Sequence, residues 1–284
     1  MTRIINILAT ESIAKEYVQQ PIEFYLAHKI LEHPDIFKKV AKNNKSYKIV
    51  DCSACELGTG VSMKKVLEAA KIIRANEIVL PDKVKDDNSL VTSLQALKQL
   101  NSKQLNRYRI AIVIQGSSIR NAISTIHNLC KSDYIKLIDT IMIPKWFSTS
   151  ARVILTTEVR RWAPHKNIHW LGLGDDIGYC ITKAKDLAIR SLDTGYFLSV
   201  AQDKMTNVCK EIRNKNHTID LEHNKLKQSQ IQTVINITNS FDYKYSQSVT
   251  NKQADEEFAA RMIVVVSLLL IILFIAILHI IKIL

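Results

Sequence analysis

"RIAIVIQGSSIRNAISTIHNLC" (residues 109–130) holds one repeat of the fold. An unbroken apolar run from Ile110 to Ile114 ends at Gln115 and Gly116, and the residues after it, 117–130, fall into a helical period. A strand with no polar face is buried on both sides, the habit of parallel sheets covered by helices. Outward from this unit the same alternation recurs. Short apolar runs stand at 4–10, 47–54, 77–82, 137–145, 167–174 and 188–195, with helical segments such as 62–76 and 88–105 between them. With 109–116 these make seven strands, and the pattern predicts an α/β chain built as a (β/α)8 TIM-type barrel whose eighth strand is not placed.

Parallel barrels build their sites at the C-terminal ends of the strands. Here those ends read Asp51, Asp82, Gln115, Pro144, the pair Gly172 and Gly174, and Asp193. Burying an unpaired carboxylate is costly, so an acid closing a buried strand is either solvated or a working group. Solvation explains any one of them. Asp51, Asp82, Gln115 and Asp193 at equivalent positions, flanked by glycines that let a flat ligand approach the backbone, point to a site.

The 284 residues are 47% hydrophobic and carry a net charge of +12, enough apolar material for a large core and a balance that favours an anionic partner. A biased genome composition enriches lysine as well, so charge alone leaves the nucleic-acid and bland readings open. The five cysteines are odd in number, mostly scattered, and follow no secretory signal, so reduced thiols and a reducing compartment are expected. Cys52 and Cys55 form a C-x-x-C spacing without a second pair to complete a zinc set, and neither a metal nor a cofactor is expected. From Met262 to Leu284 the chain is apolar on every helical face; these 23 residues span about 35 Å, enough for the hydrocarbon core of a bilayer. The expected layout is a cytoplasmic catalytic domain at 1–240, a polar linker at 241–260 and a C-terminal transmembrane helix at 261–284 that anchors it to a membrane.

No glycine-rich phosphate loop, nucleophile elbow or metal-spaced histidine set is present in the sequence. Carboxylate chemistry remains. One Asp would serve as nucleophile or as stabiliser of an oxocarbenium-like centre and another as general acid/base, while a further Asp and a Gln suit the edge of a nucleobase.

The motifs "VDCSACELGTG" (50–60), "ANEIVLPD" (75–82), "AIVIQGS" (111–117), "IMIP" (141–144), "IHWLGLG" (168–174) and "IRSLDTG" (189–195), in this order, resemble the tRNA-guanine transglycosylase superfamily. They are closest to its phage-type members that insert 7-deazaguanine bases into DNA, and "FYLAHKILEHPDIFKKVAKN" (24–43) is similar to the same group. The resemblance spans residues 3–240 and implies a (β/α)8 barrel that exchanges guanine in nucleic acid for a preQ0- or queuine-type base. It implies Asp193 as the nucleophile that forms a covalent aspartyl intermediate and Asp51 as general acid/base. Asp82, Gln115, Gly116 and Gly172 would hold the base. The zinc motif of the bacterial tRNA enzymes is absent from 194–240, where Cys209 stands alone, so DNA is the favoured substrate and tRNA the alternative. For nucleic-acid contact the candidates are Lys145, Arg152, Arg160 and Arg161, although a solvated helix face explains them equally well. Two other classes stay open. A non-catalytic, membrane-tethered nucleic-acid-binding subunit has no need for both Asp51 and Asp193, and a glycoside hydrolase would want aromatic platforms that the rims do not reveal.

Overall fold

The computed structural model describes residues 3–6, 22–42, 46–172 and 177–194. Eight strands run through them: β1 (Arg3–Asn6), β2 (Ile22–Leu26), β3 (Tyr47–Asp51), β4 (Glu77–Val79), β5 (Arg109–Val113), β6 (Thr140–Pro144), β7 (Asn167–Leu171) and β8 (Ser191–Thr194). Every neighbouring pair is parallel, in the order β1-β8-β7-β6-β5-β4-β3-β2. All seven expected strands are present. The eighth is β2, whose five residues are all buried and which runs straight into helix α1 (Ala27–Glu32).

Helices cover the strands as the apolar periods require. After β3 come the single turn α3 (Ala54–Leu57) and then α4 (Met63–Ile73), which buries Met63, Val66, Ala69, Ala70 and Ile73 as one stripe. Behind β2, helix α2 (Pro34–Lys42) follows α1. The single helix expected over 88–105 is two, α5 (Ser89–Leu97) and α6 (Ser102–Arg107), because Asn101 starts a new helix. Its Oδ1 accepts from Gln104 N–H at 3.0 Å while Gln104 Oε1 accepts from Asn101 N–H at 2.9 Å. Next come α7 (Ile119–Lys131), capped by Ser118, then α8 (Thr149–Trp162), capped by Ser148, and α9 (Ile177–Asp186).

The fold expectation needs correction in two respects. The barrel is nearly closed rather than closed: β1 and β2 come into contact, yet among the described residues no hydrogen-bonded ladder joins them. No described helix is long and apolar enough to cross a membrane. The longest, α8, has 14 residues and carries Arg152, Glu158, Arg160 and Arg161; at 1.5 Å per residue it reaches about 21 Å, short of a hydrocarbon core of about 30 Å. The expected transmembrane helix at 261–284, the linker at 241–260 and the domain boundary at 240 all lie outside the described residues.

The register decides which side chains meet. Ile49 pairs with Glu77, Ala111 with Thr140, Met142 with His169, and His169 with Ser191. Because side chains alternate, Asp51 and Asp193, two residues beyond Ile49 and Ser191, and Gln115, four beyond Ala111, project to the same interior at the C-terminal mouth. Glu77 and Thr140 occupy the floor at the N-terminal end, where Arg190 joins them from the residue before β8.

Candidate active site

Asp51 ends β3 at 7% exposure. Just beyond it Ser53 takes the left-handed conformation, φ 66° and ψ 25°, which turns its N–H back onto Asp51 Oδ2 at 2.7 Å. A buried non-glycine residue in that region stores strain, here in the service of aiming a carboxylate. Burial raises the Asp51 pKa well above the ordinary 3.8, repulsion from Glu56, Asp82 and Asp193 adds to it, and the Ser53 N–H opposes it.

Asp82 follows β4 and is 1% exposed. Its Oδ1 accepts from Cys52 Sγ at 2.9 Å and its Oδ2 from Gln115 Nε2 at 2.7 Å. Burial raises its pKa, and those two hydrogen bonds work the other way. Gly60 makes the approach: a Cβ there would stand 2.9 Å from Cys52 Sγ and 3.1 Å from Asp82 N. Gln115 is oriented from its other end, where Oε1 accepts from Lys85 N–H at 3.1 Å and from Trp146 Nε1 at 2.9 Å. Trp146 packs on Phe147 with ring centroids 3.6 Å apart. Gly116 belongs to packing, since a Cβ there would come within 2.8 Å of Ala122 N in the first turn of α7.

Asp193, on β8, is 2% exposed. Its Oδ1 accepts from His169 Nε2 at 2.8 Å and from Gly172 N–H at 3.1 Å. Gly172 has φ +71°, and a Cβ on it would run into the Lys145 side chain at 2.7 Å. Its carbonyl accepts from Arg152 Nη1 at 2.7 Å.

The six predicted site residues thus gather at one end of the barrel, whereas the four basic candidates do not. Lys145 is exposed beside Gly172, and its charge opposes the pKa rise of Glu56. Arg152 is fully buried, its guanidinium 4.7 Å from the Trp170 ring and its Nη2 3.3 Å from Cys180 Sγ. It holds backbone and shows nothing to solvent. Arg160 donates to the carbonyls of Pro164, Lys166 and Ala188, just before β7 and β8, which puts the end of α8 at the floor. Arg161 follows it there and pairs with Glu158 at 3.1 Å.

Sequence reasoning missed four groups at the mouth. His169 lies mid-strand among apolar residues and touches Asp193 only through strand register. Glu56 keeps solvent access at the rim, yet enough protein surrounds its carboxyl that burial, then repulsion from Asp193 and Asp82, raises its pKa. Cys52, expected only as a reduced thiol of an incomplete C-x-x-C spacing, is a free buried thiol that donates to Asp82. Trp146 gives the mouth the aromatic surface that the sequence did not reveal; its signal was its place two residues past a strand end.

Compared with known proteins, the chain matches no family model and no curated protein. Among solved structures, it is similar to oxaloacetate acetylhydrolase in complex with the product oxalate, at a TM-score of 0.50 and 9% identity over 87% of this chain and 93% of that one. Orotidine 5′-monophosphate decarboxylase from Methanocaldococcus jannaschii, complexed with the inhibitor BMP, gives a TM-score of 0.43 at 15% identity over 75% of this chain and 96% of that one. The first likeness is one of fold alone, a parallel α/β barrel of the TIM type, and the chemistry has to come from this chain's own mouth.

Proposed function

We propose that the protein is a base-exchange transglycosylase that replaces guanine in nucleic acid, with DNA the favoured substrate, by a 7-deazaguanine. The observation that carries this reading is the Asp82–Gln115 pair. Gln115 spends its oxygen on Trp146 and Lys85 and one amide proton on Asp82, so one N–H remains to donate, next to the free lone pairs of Asp82. An acceptor beside a donor complements a lactam edge, in which a ring N–H sits next to a carbonyl. Guanine and 7-deazaguanine both present that edge, and Trp146 offers a ring for such a base to stack on.

The mouth acids then divide the reaction. Among the described residues nothing hydrogen-bonds Asp193 Oδ2, which is the oxygen to attack C1′ of the nucleoside. The C1′–N9 bond breaks, its electron pair leaves with guanine, and Asp51, whose burial and acidic neighbours favour its neutral form, supplies the proton. The incoming 7-deazaguanine returns a proton to Asp51 as its N9 attacks the same carbon and frees the Asp193 carboxylate. Two displacements give retention, and the cycle is neutral in protons and electrons.

The full chain incubated with labelled guanine or 7-deazaguanine and either duplex DNA or tRNA tests this. Label should enter DNA with the wild type and not with Asp193→Ala. Entry into tRNA alone would move the substrate to tRNA, and entry into neither would overturn the activity.

A further inference from the structure

Asp193 is gripped by a chain of side chains to which base exchange assigns no chemical step. His169 Nε2 lies 2.8 Å from Asp193 Oδ1, and its other nitrogen, Nδ1, lies 2.8 Å from Ser191 Oγ. Behind Ser191 stands Arg190, whose Nε donates to the same Oγ at 3.3 Å. The head of Arg190 is clamped in turn by Glu77 at 2.7 and 3.2 Å and by Thr140 Oγ1 at 3.1 Å. A hydroxyl has one proton to give. An ionised Asp193 carboxylate can only accept, so the proton of a neutral His169 ring sits on Nε2, facing it; the bare Nδ1 then accepts the Ser191 hydroxyl proton, while Ser191 Oγ accepts from Arg190 Nε. The ring cannot swing away, because it is fully buried and stacks on Phe24 at 5.6 Å and 9°.

We propose that His169, held as its Nε2–H tautomer by the Glu77–Arg190–Ser191 chain, is a positioning residue that fixes Asp193 Oδ1 and leaves Oδ2 facing the substrate. Its kinetic consequence rests on the base-exchange reading; its effect on the carboxyl group does not. When Oδ2 bonds C1′, Oδ1 becomes the carbonyl oxygen of the ester and keeps both donors, His169 Nε2–H and Gly172 N–H. When the ester breaks, the same donors receive the returning carboxylate charge. No proton leaves the ring at either step. The other ionisable groups whose charges act with Asp193 are Asp51, Cys55 and Glu56.

The test uses the full chain with His169→Ala, His169→Gln and Ser191→Ala. It reads base exchange and, independently, the carbon NMR resonance of the Asp193 carboxyl in labelled aspartate, assigned through Asp193→Asn. Losing a donor to Oδ1 should shift the Asp193 carboxyl resonance in His169→Ala. In that variant kcat should fall about 100-fold with KM within about threefold. His169→Gln, whose amide N–H reaches from the place of Nε2, should recover about tenfold. Ser191→Ala should shift both readouts the same way by less. An Asp193 carboxyl resonance that stays put, or Ala and Gln variants that behave alike, overturns the proposal. If His169→Ala does not fold, the Gln and Ser191 variants carry the same NMR readout. A shifted carboxyl resonance in a protein without base exchange would keep His169 in its role and discard the proposed activity.

Discussion

Glu77 at the floor and Asp51 at the mouth are buried acids on adjacent strands, and their surroundings drive them in opposite directions. Burial raises the Glu77 carboxyl, but the Arg190 guanidinium and hydrogen bonds from Arg190, Tyr47 and Thr140 outweigh it, so its pKa falls below the ordinary 4.5. Asp51 has burial and the repulsion of Glu56, Asp82 and Asp193, against a single backbone N–H. One barrel therefore holds an acid whose surroundings favour its charge and one whose surroundings oppose it. Matched buried charge explains itself as structure. An acid whose charge is opposed, kept at the end where ligands would enter, is held ready to take up or give a proton, which is the mark of a candidate site rather than of a polar core.

The largest effects should separate the two ends outright. Arg190→Met strips Glu77 of its partner and should cost about 3–5 kcal/mol of stability, read as a lower urea midpoint. Asp193→Asn should leave stability within about 1 kcal/mol while exchange falls roughly 10⁴-fold or more. Equal losses of stability in both variants would erase the distinction between floor and mouth.

A smaller, signed difference should appear with pH. A carboxyl whose folded pKa lies above its unfolded value binds a proton on folding, so it weakens the fold at neutral pH and ceases to do so as pH falls toward 3.8. Asp51→Asn should therefore raise the urea midpoint at pH 7 and flatten the part of the profile between there and pH 3.8. Glu77 has the opposite sign: its contribution is present above 4.5 and is lost as pH falls through its lowered folded value. Glu77→Gln should lower stability at pH 7 and remove that acid-side loss. Profiles that move in the same direction would mean the two acids share one kind of environment.

The mouth was more legible in the sequence than the floor, for a physical reason. Asp51, Asp82, Gln115 and Asp193 each break an apolar run where loops begin, so local pattern exposes them. Glu77 opens a strand, and Arg190, Tyr47 and Thr140 come from distant segments; only strand register joins them. His169 escaped for the same reason, its partner lying on the next strand. β2 was not placed because no turn residue separates Leu26 from the helix starting at Ala27, so strand and helix blend into one apolar stretch. Arg152 was readable in part. It falls with Ala151, Leu155, Thr156 and Val159 on the buried stripe of α8, a spacing that marks an inward face whatever the charge. Cation clustering along the sequence hid that periodicity.

The smallest expected effect concerns the cations, and it asks where nucleic acid would lie if the chain exchanges bases as proposed. Each phosphate contact that is lost should lower the slope of log affinity against log salt by about one. Lys145 is the basic candidate exposed at the mouth, next to Gly172, so Lys145→Ala should reduce that slope by about one and weaken binding evenly across sequences. Arg161 projects from the floor end of α8, at the opposite end of the barrel from Asp193, and Arg161→Ala should leave the slope unchanged. A strand whose C1′ reaches Asp193 must pass its flanking phosphates over the rim, and a cation at the opposite end is too far away to neutralise them. If Arg161→Ala lowers the slope as much as Lys145→Ala, the polymer crosses the outer face of α8 instead, and a C1′ held at Asp193 becomes geometrically untenable.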